Sequence, residues 1–301
     1  MNGEKIFMGE IRFIKNYKDN DFQRLSFNEL AKETFGVDFE PWYEKKFWDD
    51  KYIPYSFVDG DKVISNVSVN EMSIIIEGQE LSVIQIGTVM THKDYRNKGF
   101  ARRLMKHVDD DYKNKADFIF LFGNDHANEF YKKCGYSPLE ENSFVTYYTY
   151  NNDKKNSELR KLSMSDKMDM NIIRRLSKTR TYISNDFGIR NTQGLLLFYM
   201  LYVFTDDIYY LEEDDMIVIY SIEDNVLQIY DILSNKNIDL EKVLLHIATK
   251  NVTKVIFNFT PDLTMKDLQI NKLEENDTTL FVKNFNNNIT KPFRFPELAH
   301  A

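Results

Sequence analysis

Hydrophobic and polar positions change period repeatedly along this chain, and each change marks an element. Residues 11–14 alternate as a short strand. Residues 20–35 set Phe22, Leu25, Phe27, Leu30 and Phe35 near helical spacing, with Gly36 as the stop. Pro41 opens a second predicted helix over 41–48. Strands are predicted at 55–58, 63–69 and 72–76, separated by Asp59-Gly60-Asp61 and Glu77-Gly78-Gln79 as hairpin turns. A longer strand, 82–91, leads to a helix over 100–113. A continuous apolar strand at 118–122, a short helix at 127–134 closed by Gly135, and a strand at 144–150 follow.

Residues 151–156 are polar and aperiodic, which places a domain boundary there and predicts units 1–150 and 151–301. The second half repeats the mixture, with helices at 164–179, 195–204 and 240–250. Its strands fall at 208–212, 216–222, 226–232, 254–259 and 279–282. The order strand, helix, strand over 226–259 parallels 82–122, which raises a degenerate duplication. The fold class is therefore α/β, with mixed sheets of the α+β kind.

Composition narrows the setting. The chain has 301 residues, 43% hydrophobic, with 18 Tyr and 23 Phe, enough for large cores and incompatible with a disordered chain. Cys134 is the one cysteine, so an intramolecular disulfide and a Cys-rich zinc module are excluded, and a reducing cytoplasm is the simplest setting. The five His are scattered, so no metal is expected. Net charge is −8, with no basic stripe, which argues against nucleic acid and mildly favours a cationic small molecule. No signal peptide is evident, and the apolar run 195–204 is too short for a membrane span and reads as a buried helix. Asp109-Asp110-Asp111 reads as a solvated helix face, and Cys134 as structural.

Candidate chemistry concentrates between the strand at 82–91 and the next helix. Arg96 and Gly99 lie in that loop, and Phe100, Leu104, Val108 and Tyr112 share one helix face. A strand–loop–helix turn aims free backbone N–H groups, backed by the helix dipole, at one point, as a pyrophosphate requires. The chain holds only 11 Gly, so a glycine there is less easily incidental. Arg102 and Arg103 in the first turn oppose the dipole unless an anion is bound. From the loop alone, a solvated basic turn stays equally open.

The next strand and helix carry a family resemblance. Arg96-x-x-Gly99-x-Ala101 resembles the acetyl-CoA loop of the GCN5-related N-acetyltransferases (GNAT). Asn124, Ala127, Phe130, Tyr131 and Gly135-Tyr136 resemble that family's second motif at the expected separation. The run Ile86-Gly87-Thr88-Val89-Met90-Thr91-His92, followed by Tyr95-Arg96, is similar to the tandem acetyltransferases that include the enhanced-intracellular-survival enzymes. The resemblance spans roughly residues 8–150. It implies a GNAT fold with splayed central strands, then a second, degenerate GNAT-like domain; a third, sterol-carrier-like domain found in some relatives is not expected at this length.

The resemblance also implies roles. Backbone groups of Val89 and Thr91 would hold pantetheine, with Asn124 near that arm. N–H groups of Asn97, Lys98, Gly99, Phe100 and Ala101 would hold the pyrophosphate, with Arg102 beside them and Arg96 positioning the loop. Tyr131 would protonate the departing CoA thiolate, as a phenol of pKa about 10 can at neutral pH. The implied activity is direct transfer of acetyl from acetyl-CoA, as co-substrate, to a primary amine of a small cationic molecule or a lysine. The alternative is a catalytically weak acyl-CoA-binding module for regulation or partner binding; a homo-oligomer stays open. Residues 82–91 contain no Asp or Glu, so the family's usual base is missing, and His92 and His126 are poor replacements. In the enhanced-intracellular-survival enzymes the chain's own C-terminal carboxylate enters the site. Here the tail from Asn286 turns apolar at Phe293, Phe295, Pro296 and Leu298, which fits docking into a groove and makes the Ala301 carboxylate a candidate base. A tail that merely caps the second domain's sheet is the competing account. The acceptor is not identified, although Phe35, Trp42, Phe47 and Trp48 fall on the segments that build acceptor pockets.

Overall fold

A computed structural model describes residues 10–150, 159–274, 278–285 and 289–301. The strands are β1 (Ile11–Lys15), β2 (Tyr52–Asp59), β3 (Lys62–Ile76), β4 (Gln79–Thr91), β5 (Phe118–Asn124), β6 (Ser137–Pro138), β7 (Asn142–Tyr147) and β8 (Leu159–Lys161). They continue with β9 (Phe187–Arg190), β10 (Ile208–Leu211), β11 (Met216–Glu223), β12 (Val226–Leu233), β13 (Lys254–Phe257), β14 (Gln269–Lys272) and β15 (Thr278–Lys283). The helices are α1 (Asp21–Phe35), α2 (Glu40–Glu44), α3 (Phe100–Tyr112), α4 (Asn128–Lys133), α5 (Lys167–Thr179), α6 (Gln193–Tyr202) and α7 (Leu240–Ile247).

These elements form two mixed sheets. One runs β1-β2-β3-β4-β5-β15-β6, with β9 paired to the far end of β3; the other runs β14-β7-β13-β12-β11-β10-β8. In each, a parallel pair is joined through a helix: β4–α3–β5 in the first sheet and β12–α7–β13 in the second. Read from opposite ends, the two strand orders correspond. At the matching position, each sheet takes its next strand from the other half of the chain: β15 pairs with β5, and β7 pairs with β13. Strand membership thus crosses residue 150 in both directions, and the polar stretch at 151–156 lies outside the described residues.

Local rules explain the framing helices. Asn20 caps α1 by accepting from Phe22 N, and Gly36 closes it in the left-handed conformation at φ 71°. The helix expected at 41–48 stops at Glu44. Lys46 turns left-handed at φ 59°, and Phe47 N and Trp48 N both donate back to the Trp42 carbonyl. This folds Trp48 onto Trp42, with centroids 5.3 Å apart. The two strands expected at 63–69 and 72–76 are one continuous β3. The apolar run at 195–204 is α6, buried along most of its length, and no described helix is long and apolar enough to cross a membrane.

The halves share a core. Phe27, Trp42 and Trp48 pack in one cluster with Leu196, Ile217 and Leu233. The Trp42 indole N–H donates to the Gly194 carbonyl at 2.9 Å, pinning α2 to α6. Asp109, Asp110 and Asp111, expected as a merely solvated face, each take a cation instead. Asp109 holds Lys283 of β15 at 2.6 Å, Asp110 holds Lys106, and Asp111 holds Lys15 and the Tyr55 hydroxyl. Asp109 and Asp111 thereby tie α3 to both flanks of its sheet.

Candidate active site

The site forms where β4 and β5 part. Their pairing runs from Val83–Phe118 to Ile86–Leu121 and stops, while β4 continues to Thr91 and β5 to Asn124. At that point β4 is bulged. Ser68 faces Gly87 and Asn66 faces Met90, so Thr88 and Val89 together oppose Val67. Thr88 takes φ 49°, a left-handed conformation costly for a β-branched residue, of order 1–3 kcal/mol. Two hydrogen bonds hold it there. The Asn66 amide donates to the Thr88 carbonyl at 2.9 Å, and the Tyr52 hydroxyl meets Thr88 Oγ1 at 2.7 Å. The Asn66 side chain is fixed by Ser68 and by Ser56, which meets Tyr17. Burial pushes the Tyr52 phenol up to about 12, so it stays protonated for that contact. None of these supports was singled out from sequence, although a Ser65-Asn66-x-Ser68-x-Asn70 run inside an apolar strand was there to read. The bulge sends Val89 toward the α3 side, where it packs with the cluster containing Phe100 and Tyr131, and Thr88 toward α2 and α6.

Beyond Thr91 the loop turns back on itself. Arg96 Nε donates to the Thr91 carbonyl at 3.1 Å, so Arg96 fastens the loop to the strand it leaves. Asn97 and Gly99 are left-handed at φ 60° and 78°. A side chain at Gly99 would meet no protein atom within 4 Å, so conformation, not space, calls for glycine there. Gly99 caps α3 without a side-chain hydrogen bond, and the first turn holds no acid. Among the described residues, the N–H groups of Phe100, Ala101 and Arg102 therefore have no anionic partner from the cap or the first turn. Lys98 lies over the Tyr95 ring at 4.9 Å and Arg103 over Phe57 at 4.3 Å, while Arg102 is exposed.

Across the gap, Asn124 ends β5 and its Oδ1 accepts from Ala127 N at 3.1 Å, capping the turn into α4. Tyr131 on α4 is buried, and burial pushes its phenol up to about 12. Its ring lies over Gly123, where an added Cβ would stand 2.8 Å from the ring; this glycine makes the seat for Tyr131, a role that no sequence motif marks. Cys134 is half-buried, its thiol pushed up by burial, and its carbonyl receives Lys283 Nζ.

The tail threads between the two sheets. Phe293 N donates to Asn142, Arg294 N to Thr260, Phe295 N to Glu141 and Glu297 N to the Asn258 carbonyl. Burial pushes the Glu141 carboxyl up to about 7. Phe295 packs on Phe120 and Phe187, and His300 stacks on Phe122 at 3.6 Å. Burial pushes the His300 imidazole down to about 3, so it is neutral. Ala301 then reaches β4: a Cβ built on Gly87 would stand 2.6 Å from Ala301 Cβ and 2.7 Å from its main-chain carbonyl carbon. The tail therefore engages the second sheet, as the capping account required, and also ends against the bulged strand of the first. His92 is occupied elsewhere, with Nε2 3.0 Å from Lys62 Nζ and Nδ1 accepting from Asp94 N. No group of three or more His, Cys, Asp or Glu among the described residues is placed to hold a metal.

Comparison with known proteins agrees with this fold. Residues 14–139 match the acetyltransferase (GNAT) domain family. The chain carries a GNAT acetyltransferase domain. Among solved structures, a conserved protein from Enterococcus faecalis described as a probable N-acyltransferase superposes with a TM-score of 0.60 at 18% identity, covering 90% of this chain and 71% of that one. Eis1 from Mycobacterium abscessus gives 0.57 at 10% identity, covering 90% and 72%. A GCN5-related N-acetyltransferase from Kribbella flavida gives 0.54 at 14%, covering 91% and 71%. At these identities the structures speak for the fold. No curated protein matches the chain by sequence. The GNAT domain is of a kind that transfers acyl groups, and the mixed α/β architecture is that of the GNAT neighbours.

Proposed function

We propose that the chain is an acetyl-CoA-dependent N-acetyltransferase acting on a primary amine by direct attack. The sheet built around β4 and β5, completed by β9 and β15 from the second half of the chain, would be the catalytic unit, and the sheet built around β12 and β13, which takes β7 from the first half, would be a degenerate GNAT-like unit that holds the tail. The observation that carries the reading is the position of the β4 bulge. It stands between an uncapped helix N-terminus on one side and an aromatic pocket on the other, and Thr88 lines that pocket.

Acetyl-CoA would place its pyrophosphate on the N–H groups of the loop and of the first turn of α3. Its pantetheine would lie in the gap between β4 and β5, along Val89 and Thr91. A backbone N–H of the bulged strand would receive the developing oxyanion. The neutral amine attacks the thioester carbonyl; the C–N bond forms, the C–S bond breaks, Tyr131 donates its proton to the thiolate, and the proton shed by the acylated nitrogen returns through water to the Tyr131 oxygen. In a chain that ends at Ala301, the terminal carboxylate takes the proton released by the ammonium, directly or through water.

Mass spectrometry of a mixed primary-amine library with acetyl-CoA tests the reading. Acetylated product should form with wild type and fall by about 10²-fold or more in Tyr131→Phe, the size of a general-acid contribution. Acetyl-CoA affinity should hold. Equal turnover in the variant would reduce Tyr131 to packing, and no product from any amine would leave only a binding module.

A further inference from the structure

Resting on that reading, we propose that the acceptor is a small primary monoamine with one apolar, preferably aromatic, body, and not a polyamine or an aminoglycoside-like polycation. The cavity on the Thr88 side of β4 is walled by Phe35, Phe39, Trp42, Tyr52, Phe198 and Tyr199, and the tail closes it with His300 and Ala301. No Asp, Glu, Lys or Arg side chain lines it among the described residues. His300, neutral through burial, adds no charge. The one place for an anion is the main-chain end of Ala301, against Gly87.

That arrangement holds one ammonium and no more. Ring faces and, in a chain that ends at Ala301, a single carboxylate can receive it while its body fills apolar space. A second or third ammonium inside the same walls would lose its water and find no partner, which is costly. The net charge of −8 draws cations toward the molecule but does not decide what this pocket accepts. The cavity measures about 220 Å³, below the range of roughly 300–1,000 Å³ typical for drug-sized ligands. A ring on a short alkylamine arm suits it; an aminocyclitol with several sugar rings does not.

The test compares kcat/KM for phenethylamine and isoamylamine with that for spermidine and kanamycin, using the full chain and saturating acetyl-CoA. Phenethylamine should exceed both polycations by about 10²-fold, since unpaired buried charge discriminates more strongly than a methylene does. Phe35→Glu offers a second reading, because Phe35 stands half-exposed on the pocket wall and its replacement should not unfold the chain. It should lower phenethylamine turnover and raise spermidine turnover, narrowing the ratio at least fivefold. Faster acetylation of spermidine or kanamycin by wild type would overturn the acceptor class and leave N-acetyl transfer standing. If acetyl-CoA binds but no amine is acetylated, the transfer reading fails and this inference falls with it.

Discussion

The two parallel crossovers make a natural comparison, because they share a topology and differ in what their helix ends can do. In β4–α3–β5 the helix starts after two left-handed residues, without a side-chain cap or a first-turn acid. In β12–α7–β13 the Asp239 side chain accepts from Lys242 N at 3.1 Å, and Glu241 sits in the first turn. The second helix end carries its own carboxylates where the first leaves room for a phosphate. The gaps between the strands differ too. Beyond Ile229 and Asn258 the second pair is covered by the chain's own tail, with Glu297 N bonded to the Asn258 carbonyl and Leu298 packed near Leu233. The same tail then continues to Gly87 in the first unit. Two sheets of corresponding strand order therefore provide one anion-ready helix end, and the tail that lies against the second sheet reaches the bulged strand of the first.

The largest expected effect tests that division of labour at the tail. Deleting His300-Ala301, or adding Gly-Ser after Ala301, removes or displaces the terminal carboxylate; Gly87→Ala does so from the strand, because its Cβ would stand 2.6 Å from Ala301 Cβ. All three should reduce kcat by about 10²-fold or more if the carboxylate is the base. Acetyl-CoA affinity should stay near wild type. Normal acetylation by the extended chain would move the proton's route to water, and the tail would then serve only to hold the two units together.

Next in size is the phosphate end. Gly99→Glu imposes a side chain on φ 78° and brings a negative charge to the loop. Acetyl-CoA Kd should rise at least about tenfold, given the 1–3 kcal/mol scale of left-handed strain and the added repulsion. The rise in Tm that a ligand selective for the native state produces should shrink with it. Calorimetry on a folded Gly99→Glu variant with unchanged affinity would remove the loop from the binding site.

This end of the molecule was the legible one. Gly99 and Arg96 announce the loop because glycine is scarce in the chain and because the spacing to Asn124 and Tyr131 is local. The exchanged strands were not legible. Residues 144–147 and 279–282 read as ordinary strands, and nothing in their alternation says which sheet they join; pairing across more than a hundred residues is a property of the assembled cores. The strand β14 is exposed throughout, and Ile270 is its one apolar residue, too little for an alternating signal. Gly87 and Gly123 were invisible for another reason. Their backbone conformation is not left-handed, and their need for glycine comes from Ala301 and Tyr131, contacts that exist only once the chain has folded.

A smaller effect should appear in the pH dependence of stability. His300 is held neutral by burial, with its imidazole pushed down to about 3. The unfolded chain takes a proton near pH 6.5 while the folded chain resists it, so the stability from burying neutral His300 is present above pH 6.5 and is lost as pH falls toward 3. His300→Phe keeps a ring to stack on Phe122 and removes the titration. Melting curves should show the wild-type Tm dropping more steeply than the variant's between pH 6.5 and 4. Parallel curves would mean that the imidazole is protonated or solvated in the folded chain.

The smallest effect comes from asking whether the second crossover can be opened. Asp239→Ala removes the cap of α7, and such losses cost about 0.5–2 kcal/mol. For a chain of this size that corresponds to a drop in Tm of about 2–4 °C or less. It should not create a second cofactor site, because bare N–H groups are only one of the conditions met in the first unit. The connection from Ser234 to Asp239 has no glycine, Glu241 still repels phosphate in the first turn, and residues 296–299 still lie against β12. Titration calorimetry should therefore give one acetyl-CoA per chain for wild type and for Asp239→Ala alike. Two sites in the variant would show that the cap alone separates the two crossovers, and two sites in wild type would show that the tail does not close the second gap.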